Sequence, residues 1–238
     1  MSNRIIHLLF VILALSCVLS GYSQTSLKRE WDAEKIKGVR SLPYPYFSGF
    51  PFLNETWVSG KIEFLNGEIS DSLSLRYSSF KDELLYFNET ISAQIVIDKV
   101  SLRGFSFTDK DGRIRIFRKL YYDGFIKGDR YFEVLSDGEI DLLGYRKVNL
   151  TTTSPYKDYN NVLKNMMYIN DYQFYFHSPE NGFLSVRPSL SGLLSKFCKD
   201  IQKEIRRLLR KNRIKISDEA SFVQAWTIVA KEGFKPVL

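Results

Sequence analysis

From Trp57 onward, apolar and polar residues alternate in short runs. Ser72-Leu73-Ser74-Leu75-Arg76-Tyr77 does so strictly, as a strand with one buried face must. Similar runs follow at Leu84–Phe87, Ile91–Ile97, Leu102–Phe107, Arg113–Phe117, Tyr131–Leu135, Tyr145–Leu150, Tyr172–His177 and Phe183–Arg187. The runs are separated by Asn66-Gly67, Asp111-Gly112, Asp137-Gly138 and Asn181-Gly182. Such pairs between strand-like arms predict two-residue hairpin turns with both central residues at positive φ. The sharpest unit is Tyr131–Leu143, whose Phe132, Val134, Ile140 and Leu142 are expected in the core. The pattern predicts about nine to eleven antiparallel strands without a fixed-period repeat, as a sandwich or an open barrel. Residues 119–130 and 151–166 read as loops, the latter as a polar flap.

After Pro188 the period changes to that of a helix. Leu190, Leu193, Leu194, Phe197, Ile201, Ile205, Leu208 and Leu209 form one apolar stripe behind a Ser189 or Ser191 cap. A second helix is expected from Ser217 through Trp226 to Gly233, with Pro236 beyond. The fold class expected is α+β, mainly β: a hairpin-built antiparallel sheet with a C-terminal helix pair packed on it. The segments are 1–23, 24–40 (a polar arm or short peripheral helix), 41–188 (the β domain) and 189–238 (the helix pair).

The first 23 residues carry a different pattern. Arg4 precedes the apolar run Ile5–Leu19, and Gly21-Tyr22-Ser23 offers small residues before Gln24. This layout is that of a secretory signal peptide, which predicts export to the periplasm or outer membrane and no transmembrane span in the mature chain. Cys17 opens a second reading, lipoprotein processing, but of Ala14, Leu15 and Ser16 before it only Ser16 suits a lipobox. The mature chain then keeps one cysteine, Cys198, which excludes an internal disulfide. Its place beside Phe197 in the apolar stripe predicts a buried thiol.

Charge changes the picture at one place. Residues 196–215 hold nine basic residues against two acidic ones, a net +7. Without Arg4 the chain has 33 basic and 27 acidic residues, so everything outside 196–215 nets −1. Arg206, Arg207, Arg210 and Lys211 are therefore candidates to meet an anionic surface or another envelope protein; export and the lack of a binding motif argue against nucleic acid. The arm Ser41–Leu53, with Tyr44, Tyr46 and Phe50 among three prolines, is a second docking candidate unless it lies across its own sheet.

Catalytic chemistry has few candidates. His177 is the one histidine left after leader removal, too few for a two-histidine zinc site. Asp109-Lys110-Asp111-Gly112 lacks the remaining ligands of a calcium loop. Asp82 with Glu83, Glu133 with Asp141, and Asp123 with Asp129 are the carboxylate pairs available to a glycan hydrolase, which is kept as the alternative reading. No catalytic residue, cofactor or metal site is expected.

Trp57-x-x-Gly60-x-Ile62, Asn66-Gly67, Leu73-x-Leu75-Arg76-Tyr77, Asp82-Glu83-Leu84 and Tyr131-Phe132-Glu133-Val134-Leu135-x-x-Gly138 with Leu142-Leu143 resemble a group of exported β-rich proteins of Bacteroidota. In that group a hairpin body precedes a basic C-terminal helix pair. The resemblance covers about 55–231 and implies the cell envelope, without implying an activity. It also implies Asp71-Ser72-Leu73 as an O-glycosylation acceptor.

Overall fold

The computed structural model describes residues 36–124 and 127–237; the leader, Cys17 and most of the polar arm lie outside them. Among the described residues, eleven strands form one antiparallel sheet that does not close. They are β1 (Gly38–Arg40), β2 (Val58–Phe64), β3 (Leu73–Ser78), β4 (Glu83–Asn88), β5 (Ala93–Ile97), β6 (Leu102–Thr108), β7 (Ile114–Tyr122), β8 (Gly128–Ser136), β9 (Asp141–Lys157), β10 (Leu163–Ser178) and β11 (Gly182–Val186). Their order is β1-β5-β4-β3-β2-β6-β7-β8-β9-β10-β11. Two meanders thus meet where β2 pairs with β6, and the 3₁₀ turn Lys99–Ser101 carries the chain from β5 to β6.

The sheet curls strongly. Tyr77 on β3 and Tyr131 on β8 are four strand steps apart, roughly 19 Å on a flat sheet. Their ring centroids nevertheless lie 6.1 Å apart, with Phe105 in contact with both. The Val148 amide on β9 donates to the Ser79 carbonyl at 3.0 Å, so the β3–β4 turn meets the far half of the sheet. The concave face holds Ile62, Leu75, Tyr77, Leu84, Phe105, Phe107, Phe117 and Tyr131, all buried. Arg76, between Leu75 and Tyr77, points to the convex face, as its alternation requires.

Three helices follow: α1 (Leu190–Leu194), α2 (Lys199–Lys211) and α3 (Glu219–Lys231). Leu193, Leu194, Phe197, Ile205, Leu209, Phe222, Ala225, Trp226 and Val229 pack with Leu142, Phe174, Phe176 and Val186 of β9–β11 in one buried cluster. Strand register puts those sheet residues on the concave side, so the helices fill that side of the β9–β11 end.

Several expectations are corrected. The helical stripe breaks at Ser195–Cys198, because Cys198 takes an extended conformation and starts α2 afresh. Residues 151–166 are the outer halves of β9 and β10 rather than a flap, and most of 119–130 belongs to β7 and β8. Gly38–Arg40 pairs with β5 as an edge strand, inside a segment read as an arm or helix. The Asn/Asp-Gly turns do not have two positive-φ residues. Gly67, Gly112 and Gly182 alone are left-handed, and Gly138 is not. At Asp109–Gly112 the Gly112 amide donates to the Asp109 carbonyl and the Asp109 amide to the Arg113 carbonyl, a four-residue turn needing one left-handed residue. The helix α3 cap is Asp218, whose carboxylate accepts from the Ser221 amide, one residue after the expected Ser217.

Candidate functional site

Helix α2 presents two faces. Ile205 and Leu209 are buried and Ile201 and Leu208 half-buried against the sheet-and-helix core. Lys199, Lys203, Arg206 and Arg210 recur at i, i+4, i+7 and i+11 on the opposite face, with Arg207 and Lys211 beside them. All six are exposed. Among the described residues, none of the six forms an ion pair or side-chain hydrogen bond. The row spans about 16 Å at 1.5 Å per residue. Arg210 and Lys211 in the last turn also suit the helix dipole. The four predicted cations thus stand together on one rigid, outward face.

Cys198, expected buried, is exposed at the N-cap of α2. The reason is the break in the stripe, which turns the residue after Phe197 outward. A maleimide is expected to modify Cys198 fully in the native protein, as peptide mapping would read; labelling that requires denaturant contradicts this placement.

The aromatic arm does not stand free. Tyr44 packs edge-on to Phe52 at 4.8 Å and its hydroxyl donates to Glu83. Phe50 and Phe52 flank the Arg76 guanidinium, which lies 3.9 Å from the Phe52 centroid. The Tyr168 amide donates to the Ser48 carbonyl and its hydroxyl to the Pro45 carbonyl. Gly49, at φ +80°, makes this passage possible: a Cβ there would lie 2.2 Å from the Tyr168 carbonyl oxygen. The arm therefore bridges the β3–β4 hairpin to β10 across the open side of the sheet. Of its three docking candidates, Tyr46 is the one left exposed, against Tyr159.

The carboxylates divide differently from the expected pairs. Glu133 accepts a bidentate bond from Arg115, at 2.6 Å to each oxygen, and a further bond from Arg146. Arg146 also grips Glu219 of α3. Burial raises the Glu133 pKa, but its two arginines outweigh that and hold it below the ordinary value. Asp82, at φ +57°, accepts from the Tyr77 hydroxyl at 2.6 Å, Lys99 at 2.7 Å and the Tyr131 amide at 3.3 Å. Burial raises its pKa despite these partners. Both groups join distant strands; Asp82 also lines, with Glu83 and Asp98, an open depression of about 520 Å³ beside β1 and β5, where Lys81 and Lys99 stand among the carboxylates. Asp109 accepts from the Asp111 and Arg113 amides, so its carboxylate serves the turn. Among the described residues, no group of three or more His, Cys, Asp or Glu side chains is placed to hold a metal ion.

His177 packs against Phe183 with ring centroids 4.5 Å apart and planes tilted by 44°, and its Nδ1 is 4.0 Å from Asp141. Burial lowers its pKa, Asp141 opposes that and Arg118 adds to it. Sequence reasoning missed one feature on the convex face. There Tyr122, Phe132, Tyr145 and Tyr175 from β7, β8, β9 and β10 converge with Arg130 and Lys147 around a groove of about 240 Å³. No motif marks it, because its residues are adjacent through strand register.

Among the described residues no helix is long and apolar enough to cross a membrane. Comparison with protein-family models, with curated proteins and with solved structures finds no match to this chain.

Proposed function

We propose that this protein is a non-enzymatic binding module of the cell envelope, exported through its N-terminal leader and docked on anionic lipid headgroups by the outer face of α2. The observation that carries this reading is the straight row of unpaired cations on a helix whose other face is held in the core. A flexible basic tail would lose order on docking, whereas this face is preorganised and meets a flat anionic surface at little entropic cost. The two carboxylates, Glu133 and Asp82, are held in ion pairs by Arg115, Arg146 and Lys99, which favours binding over the hydrolase alternative.

Each cation near an anionic membrane contributes about 1 kcal/mol. Replacing Arg206, Arg207, Arg210 and Lys211 by Gln is therefore expected to weaken binding to phosphatidylglycerol-containing vesicles by at least about a hundredfold in sedimentation assays. Wild-type binding should also fall steeply between low and physiological salt. Equal binding to neutral and anionic vesicles, no vesicle binding, or an unchanged quadruple variant rejects the reading.

A further inference from the structure

The convex groove lies over a small buried cluster of Phe132, Leu143 and Tyr175, against which Tyr122, Tyr145 and Phe183 pack. Its floor is Phe132, whose ring lies 5.5 Å from Tyr145 and 5.8 Å from Tyr175. Tyr122 closes one side, 6.2 Å from Phe132 and 5.7 Å from Tyr175. Four aromatic rings from four adjacent strands thus form a cup on a sheet face that no helix covers. A convex sheet face needs polar residues outward, and here it carries rings.

The charged side chains lining the groove are basic, although Asp171 lies directly opposite Lys147 on the neighbouring strand. Arg130 and Lys147 line the groove and no carboxylate does. Lys147 is half-buried and, among the described residues, forms no ion pair or side-chain hydrogen bond. Arg130 has only the distant Asp82, 4.0 Å away, and that carboxylate is already bonded to Lys99 and Tyr77. The nearest acid on the Lys147 side, Asp171, accepts from Asn149 and from Gln173. Both lining cations thus have charge to offer a ligand.

Hydrogen-bonding groups complete the rim. The Tyr175 hydroxyl donates to the Gln173 side chain at 2.8 Å, which fixes both, and leaves the tyrosine oxygen able to accept. The Tyr145 hydroxyl has no hydrogen-bond partner among the described residues. Burial pushes its pKa up to about 12, so it keeps its proton at neutral pH and can donate. The volume is below the roughly 300–1,000 Å³ of pockets for drug-sized ligands, which limits the occupant to one ring and its substituent.

From the aromatic cup, the paired cations and the hydroxyl rim, we infer that this groove binds a single anionic sugar residue, its ring on the aromatic faces and its charged group at Arg130 and Lys147. The half-buried Tyr122 and Tyr145 offer ring surface to the apolar C–H face of a sugar, with Phe132 and Tyr175 buried beneath them, and Tyr145 and Gln173 meet its hydroxyls. The site is separate from the cationic face of α2 and does not depend on that reading.

The test is ligand-observed NMR with the full chain and four probes: D-glucuronate, glucose 6-phosphate, glucose and benzoate. Glucuronate or glucose 6-phosphate is expected to bind at least about tenfold more tightly than glucose, the effect of one charge-assisted hydrogen bond. Whichever of the two binds better identifies the anion as carboxylate or phosphate. Lys147→Gln is expected to remove that preference, and Tyr145→Ala to weaken both sugars, with thermal melts confirming that the variants fold. Glucose binding equal to the anionic sugars, benzoate binding without either sugar, a preference that survives Lys147→Gln, or no binding by any probe overturns the inference.

Discussion

Replacing Glu133 by Ala is expected to destabilise the protein by about 3 kcal/mol, because it leaves the half-buried Arg115 unpaired and the buried Arg146 with Glu219 alone. The Arg146 side chain is 2 % exposed and that of Arg115 19 %, so water can take over the lost role only in part, at Arg115. At 2–4 °C per kcal/mol for a chain of this size, the melting temperature should fall by roughly 6–12 °C. Replacing Glu133, Arg115 and Arg146 together by apolar residues of similar volume should cost far less, since the desolvation of all three charges is then avoided. The pH dependence has a definite sign. The folded pKa of Glu133 lies below its unfolded value, so its stabilisation is complete above about pH 4.3 and is lost as pH falls through the folded pKa. Asp82 acts oppposite in sign: its folded pKa is raised, so its contribution declines as pH rises from its unfolded value through its folded one. Thermal melts of wild type and Glu133→Gln between pH 7 and pH 3 isolate the Glu133 contribution as the difference between the two curves, because Asp82 and the other titrating groups are common to both. A Glu133→Ala protein that melts within about 1 °C of wild type would show that the network contributes no more than an exposed ion pair.

This network also shows where sequence reasoning stops. The alternation in β9 places Leu142, Gly144, Arg146 and Val148 on the same face, so an arginine at a core position was legible there. Its partner Glu219 lies 73 residues away on a helix, and no local pattern links them. The hairpin body was legible where one face of a strand is buried and the other is not, as in β3: Leu75 and Tyr77 go in, Arg76 goes out. The outer halves of β9 and β10 were not, because Thr151–Lys157 is mostly exposed on both faces and alternation has nothing to report. The turns were misread for a related reason. A dipeptide signals a reversal but not its length, and the Glu133–Ser136 end of β8 carries a bulge that lets Gly138 avoid a left-handed conformation. The cationic face of α2 was visible in composition alone, since helical spacing is short-range. The convex groove was not, because it needs the register of four strands: Tyr145 opposite Gln173, Leu143 opposite Tyr175, and Phe132 opposite Arg118.

Trp226→Ala should be at least as costly as the loss of Glu133, at about 3–5 kcal/mol, for a different reason. Trp226 is 1 % exposed and its ring lies 4.2 Å from Phe176 of β10. It joins α3 to the strands, and through Phe222, Ile205 and Leu209 the same cluster holds α2. Truncation leaves a cavity in a cluster that sheet and helices build jointly, and a curled sheet has little freedom to collapse into it. Trp226→Phe should cost much less than the volume change alone suggests. The indole Nε1–H is buried without an acceptor among the described residues, and an unmade hydrogen bond of that kind costs about 1–3 kcal/mol in the wild type. Phenylalanine gives up part of the packing but also removes that unmade bond. Chemical denaturation of both variants measures the difference, and hydrogen exchange along α2 and α3 reports where it acts. If Trp226→Ala loses less than about 1 kcal/mol, or if its exchange rises in α3 alone while α2 stays protected, the helices are not one cooperative unit with the sheet. The rigid backing assumed for the cationic face would then be lost, and vesicle binding by Trp226→Ala at wild-type strength would indicate that the charges act without it.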